Sequence, residues 1–214
     1  MDAVESVLDR CEHYSNYFRM IQPILPHDIW RRYMFAYTTV NLSWQSSVRL
    51  YTELNKLQWP AAEADIRAAF ITAKSGFYDT RPRMMADCAS IFFSEFQYTR
   101  FQRKPDQDWL ELRSDLDKLI LGLGQIKISF TMELCYPEET EIVCLDRHML
   151  GQVFHTDPTR TTGTQQYLHC ERQWVETCRR YGAAPGIARL AYWDKLQGRN
   201  SPDYWAHVFK TERI

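Results

Sequence analysis

Apolar residues recur every three or four positions through most of this chain, and that period restricts what it can fold into. Val4, Val7, Leu8 and Cys11 have the spacing, and Leu110, Leu112, Leu116, Leu119 and Ile120 repeat it. A 3.6-residue period gathers such side chains on one helix face, whereas strands need alternation. The expected fold class is therefore all-α. With 214 residues, 45% of them hydrophobic, the chain can bury one core or two small lobes flanking a cleft, and the reading is a single two-lobed domain over residues 1–214. No window approaches the roughly 18 consecutive apolar residues of a membrane span. The start, Met1-Asp2-Ala3-Val4-Glu5, is acidic and already amphipathic, unlike a secretory signal, so an intracellular protein is expected.

Prolines, glycines and capping residues divide the periodic stretches. Pro23 and Pro26 separate a first helix from a second over about 27–37, and Asn41-Leu42-Ser43 caps a third that should run to Leu57. Pro60 should open a helix ending near Lys74 and Gly76. Pro82 should open the next, with Ile91, Phe92 and Phe96 on its apolar side. After Lys104-Pro105-Asp106 come a helix from Leu110 to Leu121, the turn Gly122-Leu123-Gly124, and a helix from Gln125 to Leu134. Residues 142–145 form a short apolar run, 156–164 a polar segment, and helices are expected from Glu171 to Tyr181 and from Pro185 to Leu196.

Charge and cysteines exclude some chemistry. The net charge is −1, so any nucleic-acid surface must be local. Arg81 with Arg83, Arg100 with Arg103 and Lys104, and Arg172 with Arg179 and Arg180 are the basic clusters; a solvated helix face would look the same. Six scattered cysteines lack the pairs that hold zinc and the four-cysteine run that holds an iron–sulfur cluster. Reduced thiols, no metal and no cofactor are expected.

The most informative segment is Leu121-Gly122-Leu123-Gly124-Gln125-Ile126-Lys127-Ile128-Ser129, followed by Leu145-Asp146-Arg147-His148-Met149-Leu150. Two glycines one residue apart between helices permit a tight hairpin and close approach of a ligand to the backbone. Together with Asn41-Leu42-Ser43-Trp44-Gln45-Ser46-Ser47 upstream, the order of these elements resembles the helix-hairpin-helix DNA glycosylase superfamily, above all its archaeal 8-oxoguanine glycosylase branch. The resemblance covers about residues 30–154. It implies a two-lobed helical fold with a cleft between the lobes, a helix-hairpin-helix over about 110–134, an aspartate loop over about 142–150, and double-stranded DNA as partner of a monomeric enzyme.

It also assigns residues. Gly122, Gly124 and Gln125, with Lys127 beside them, would meet a DNA phosphate through main-chain N–H groups at a helix start. A base inside the duplex is out of reach, so such proteins flip the nucleotide out. Gln45 and Trp44 are then candidates for filling the gap, the alternative being a solvated Gln45 and a core Trp44. Asp146 would stabilise a developing cation or activate the nucleophile, and it also suits an N-cap. Arg147 would brace Asp146 or meet a phosphate, and His148 would sit hydrogen-bonded at the helix start. Trp193, with Tyr192, Tyr204 and Trp205, would line a base pocket or pack a core.

One position departs from the family. Members that also cleave the strand carry a lysine two residues after the second hairpin glycine, as a Schiff-base nucleophile. Ile126 stands there, and Lys127 follows about 100° further round a helix. Without a gap Lys127 is a phosphate contact; with one extra hairpin residue it takes the catalytic position. Loss of the lysine is compatible with a monofunctional glycosylase. It is equally compatible with bacteriophage proteins that resemble this superfamily and are implicated in thymine hypermodification, in the cytoplasm of a bacterial host. There pyrophosphate on 5-(pyrophosphoryloxymethyl)uracil in DNA gives way to an amine from an amino acid or polyamine. The transferase is the preferred reading and the glycosylase the alternative; a non-catalytic DNA-binding module would have no use for Asp146.

Overall fold

The computed structural model describes residues 3–95, 97–161 and 165–205. Phe96, residues 162–164 and the side chain of Tyr204, which entered the reading above, lie outside the described residues. Among those described there are α-helices and short 3₁₀ turns and no strand. The helices are α1 (Leu8–Met20), α2 (Pro26–Thr38), α3 (Trp44–Leu54), α4 (Glu63–Thr72), α5 (Arg81–Phe93), α6 (Trp109–Leu119), α7 (Gln125–Cys135), α8 (Arg147–Val153), α9 (Pro158–Thr161), α10 (Gln165–Arg180) and α11 (Pro185–Leu196).

The starts follow local chemistry. Ser43 caps α3 by accepting from the Ser46 N–H, and Asp108 caps α6 by accepting from Leu110 and Glu111. Proline stands in the first turn of α2, α5 and α11, where an N–H would have no intrahelical partner.

Three boundaries correct the expectations. Helix α3 stops at Leu54, because Lys56 and Leu57 bond back three residues, to Glu53 and Leu54, and tighten the last turn. Helix α4 starts at Glu63 with Ala62 as its N-cap. Pro60 belongs to the preceding turn, where its neighbour Trp59 packs on Trp30 with ring centroids 4.9 Å apart. Helix α10 begins six residues before Glu171, because Tyr167, Cys170, Trp174 and Cys178 make one continuous buried stripe.

The chain divides into two compact units, Pro23–Ile128 and the combination of Met1–Gln22 with Ser129–Ile214, so the boundary falls inside α7. The central unit is centred on Trp30, Tyr33, Phe35, Leu50, Phe70, Phe92 and Leu116, all at most 1% exposed. The unit built from the two terminal stretches is centred on Tyr14, Phe18, Trp174, Ile187, Leu190 and Trp205. Burying each such side chain contributes roughly 1.5–3 kcal/mol.

Candidate active site

In the central unit, α6 ends at Leu119 and the chain turns through Leu121-Gly122-Leu123-Gly124 into α7. Gly122 has φ +88°, and a Cβ there would lie 2.8 Å from Met84 Sδ and 3.2 Å from Tyr37 Cε1. Only glycine fits, since the conformation and the close packing each exclude a side chain. Tyr37 fixes the turn further by donating its hydroxyl to the Leu121 carbonyl at 2.6 Å. Gly124 has ordinary dihedrals and open space around it. Its carbonyl accepts from the N–H groups of Lys127 (2.8 Å) and Ile128 (3.1 Å), making it the N-cap of α7. Exposed Gln125 opens the helix, while Ile126 and Lys127 are half-buried. A helix start carries N–H groups without intrahelical partners, and beside an exposed Gly124 and Gln125 that is an arrangement suited to an anion.

In the other unit, Ile142, Val143, Cys144 and Leu145 are at most 3% exposed and belong to neither helix nor strand. A buried backbone without a ladder leaves unmet donors that cost about 1–3 kcal/mol each, and side chains meet them. The Ile142 N–H donates to Thr140 Oγ1 (3.3 Å), that of Val143 to Glu171 Oε1 (2.9 Å), and that of Cys144 to Glu133 Oε1 (2.8 Å). Tyr167 donates its hydroxyl to the Val143 carbonyl at 2.9 Å. Glu133, itself 0% exposed, pairs with Arg189, 2% exposed; Arg189 Nε donates to Glu133 Oε1 at 2.8 Å and its Nη2 meets Oε2. Burial lowers the pKa of this guanidinium, and nearby Asp194 partly offsets the shift.

Asp146 stands where this pinned segment ends. It is half-buried, is the N-cap of α8, and accepts with Oδ1 from the N–H groups of His148 (2.9 Å) and Met149 (3.0 Å). One oxygen is therefore held by the helix start, leaving Oδ2 free of those bonds. Met149 and Leu150 are fully buried behind it and fix the first turn of α8.

The same architecture occurs in solved 8-oxoguanine DNA glycosylases. The Methanocaldococcus jannaschii enzyme is 15% identical, with 92% of this chain and 88% of that one covered at a TM-score of 0.68. The Thermotoga maritima enzyme is 16% identical, with coverage of 92% and 96% and a TM-score of 0.72. The M. jannaschii 8-oxoguanine glycosylase/lyase in complex with a 15mer DNA containing 8-oxoguanine is 15% identical, with coverage of 92% and 96% and a TM-score of 0.73. The fold is that of the helix-hairpin-helix DNA glycosylases. No protein-family model matches the sequence, and no curated protein matches it by sequence.

Within this glycosylase fold the remaining predicted residues fall as follows. Gln45 is exposed in the first turn of α3, and Trp44 is half-buried with its ring 5.3 Å from Phe35 in an edge contact, so packing claims part of Trp44. Arg147 is exposed on the first turn of α8, next to Asp146 in the chain and without an ion pair to it. The backbone of His148 is bound at the helix start while its side chain is exposed. Trp193 packs near Trp205 (ring centroids 6.3 Å apart) and under Arg199 (5.3 Å), and Trp205 is core, with Nε1 donating to Asp194 at 2.9 Å. Tyr192 lines a cavity of about 1000 Å³ with Phe154, His155, Trp174, Arg180 and Lys195. Neither Asp146 nor the hairpin borders that cavity.

Glu133, Tyr167, Glu171 and Arg189 were not read from the sequence as part of a site. Their signal was available: Glu133 stands in Phe130-Thr131-Met132-Glu133-Leu134-Cys135, and Arg189 in Ile187-Ala188-Arg189-Leu190-Ala191. Isolated opposite charges on apolar helix faces call for a buried partner. Among the described residues no His, Cys, Asp and Glu cluster could hold a metal, and no helix is long and apolar enough to cross a membrane.

Proposed function

We propose that this chain is a DNA base-modifying enzyme that takes a pyrimidine flipped from duplex DNA and acts on it with Asp146. The observation carrying this reading is the glycosylase fold combined with an aspartate held at the end of a segment that buried side chains pin on every side. Duplex DNA as the partner is supported by the neighbour in complex with a 15mer DNA containing 8-oxoguanine. Gly122, Gly124 and Gln125 offer main-chain donors to a backbone phosphate, with Lys127 beside them. Gln45 fills the place vacated by the flipped nucleotide, since Trp44 is engaged with Phe35.

Ile126 supplies no amine where a Schiff-base lysine would stand, so Asp146 works on an incoming nucleophile. The reaction we favour is transfer to 5-(pyrophosphoryloxymethyl)uracil. The bond from the exocyclic methylene carbon to oxygen breaks, and pyrophosphate leaves with the electron pair. A carbon–nitrogen bond forms to an amino acid or polyamine amine, whose proton passes to the Asp146 carboxylate. The second reading is excision, the reaction class of the 8-oxoguanine DNA glycosylases that share the fold. Water would then add to the sugar carbon, its proton going to Asp146, as the bond from that carbon to the base nitrogen breaks and the base leaves with the electron pair, taking up a proton from solvent.

Incubation with DNA carrying damaged bases, and separately with pyrophosphorylated hydroxymethyluracil DNA plus amino acids and polyamines, tests the proposal. Nucleoside mass spectrometry should reveal a heavier thymidine adduct and released pyrophosphate. Free base with abasic sites would replace transfer by excision, and neither product, or full activity in Asp146→Asn, would overturn the reading.

A further inference from the structure

Arg81 is the first residue of α5, and it is only 8% exposed. Its Nη1 is buried without a hydrogen-bond partner. Buried guanidinium groups are normally paired, because burying their charge and five donors is costly. No carboxylate offsets the effect of burial, which lowers the pKa of this group. The acid nearest in sequence, Asp79, is 91% exposed and turned to Arg67 at 3.5 Å. What Arg81 has is the ring of Phe77, with the guanidinium carbon 3.7 Å from the ring centroid. Phe77 precedes the helix by four residues and is 48% exposed, so the guanidinium is stacked on a partly exposed ring that lies ahead of α5 in the chain.

Other donors converge on the same place. Helix α5 has 13 residues, and its N-cap Thr80 makes no side-chain capping bond. Pro82 has no N–H, which leaves the amides of Arg81 and Arg83 as the open donors of the first turn. That turn also adjoins the hairpin, since the side chain of Met84 is what a Cβ on Gly122 would strike. Arg81 lies one turn before Met84, about 4.5 Å along the helix axis.

We propose that Arg81 and the first turn of α5 form a phosphate oxyanion site beside the hairpin, with Phe77 as the wall behind the guanidinium. A phosphate there accepts from the Arg81 fork and from the open amides, supplying the partner that the buried group lacks. The source we assign is the DNA backbone, which rests on the proposed function; free phosphate or pyrophosphate shares the chemistry and is the other arm of the test.

Duplex binding by fluorescence anisotropy from 50 to 200 mM salt, for wild type and Arg81→Gln, reads the site directly. Loss of one phosphate contact should reduce the slope of log K against log salt by about 0.9 and shrink the wild-type advantage about 3.5-fold across that range, whatever the DNA sequence. Arg81→Lys, which keeps the charge and loses the fork, should bind more weakly with the wild-type slope, so a folding defect in the glutamine variant would not mask the result. Wild-type binding with an unchanged slope in Arg81→Gln would overturn this site and leave the proposed function standing. If the wild type binds no DNA, its melting temperature in inorganic phosphate and pyrophosphate decides. Stabilisation lost in Arg81→Gln assigns the site to a free anion and refutes the DNA reading, whereas no stabilisation overturns the site as well.

Discussion

Replacing Glu133 by Leu should destabilise the protein more than removing both members of its ion pair. Glu133 and Arg189 are 0% and 2% exposed, so Glu133→Leu leaves a positive charge buried without its partner. Orphaning one side of a buried pair costs about 3–5 kcal/mol. The Cys144 N–H, 2.8 Å from Glu133 Oε1, loses its acceptor as well, for a further cost of about 1–3 kcal/mol. Together these come to about 4–8 kcal/mol, and the lower bound alone corresponds to roughly 8–16 °C in melting temperature for a chain of this size. In Glu133→Leu/Arg189→Met the orphaned charge is gone and only the Cys144 amide is left unmet, so about 2 kcal/mol or more should return. Urea denaturation of the two variants against wild type measures both quantities. A double variant no more stable than the single would show that Arg189's charge is not what Glu133 compensates, and the account of how residues 142–145 are pinned would fail with it.

The hairpin glycines should separate in a thermal melt. Gly122→Ala, at φ +88° and against Met84, should cost about 1–3 kcal/mol, while Gly124→Ala, with open space around it, should cost at most about 1 kcal/mol; equal losses would contradict the packing described. Asp146→Asn should leave the melting temperature within a few degrees, because Asn caps as well as Asp, whereas Asp146→Ala should lose about 0.5–2 kcal/mol. Either change should lower base-modifying activity by about 10²–10⁴-fold, and an active Asn variant would reduce Asp146 to a cap. Cys11 has its pKa raised to about 11, first by burial and then by Asp9. Because the shift is upward, thiolate is scarce below that pH, about 0.1% at pH 8 against about 24% for an ordinary thiol. Iodoacetamide labelling followed by peptide mass spectrometry should then be about 200-fold slow at pH 8 and gain about tenfold per pH unit up to pH 11; labelling at the free-thiol rate at pH 8 would refute the burial.

Helix content and most helix starts were legible because their causes lie within a few residues. The apolar period, Ser43 as a cap, and the prolines opening α2, α5 and α11 are all local signals. Gly122-Leu123-Gly124 announced its hairpin for the same reason, since a positive φ demands glycine at that point whatever surrounds it. Asp146 was legible as a helix cap and, through resemblance, as a site residue. Elsewhere local chemistry misled: polar Gln165, Gln166 and His169, all exposed, concealed the first turns of α10, and Arg81 looked as suited to solvent as to a phosphate until its burial was seen.

What places Asp146 was decided by the tertiary structure alone. The amides of residues 143 and 144 are met from Glu171 and Glu133, 28 and 11 residues away, and Glu133 is in turn held by Arg189 at a separation of 56. A buried donor needs an acceptor within about 3 Å. The sequence determines which helices form, but only the folded chain determines which side chain arrives at that distance.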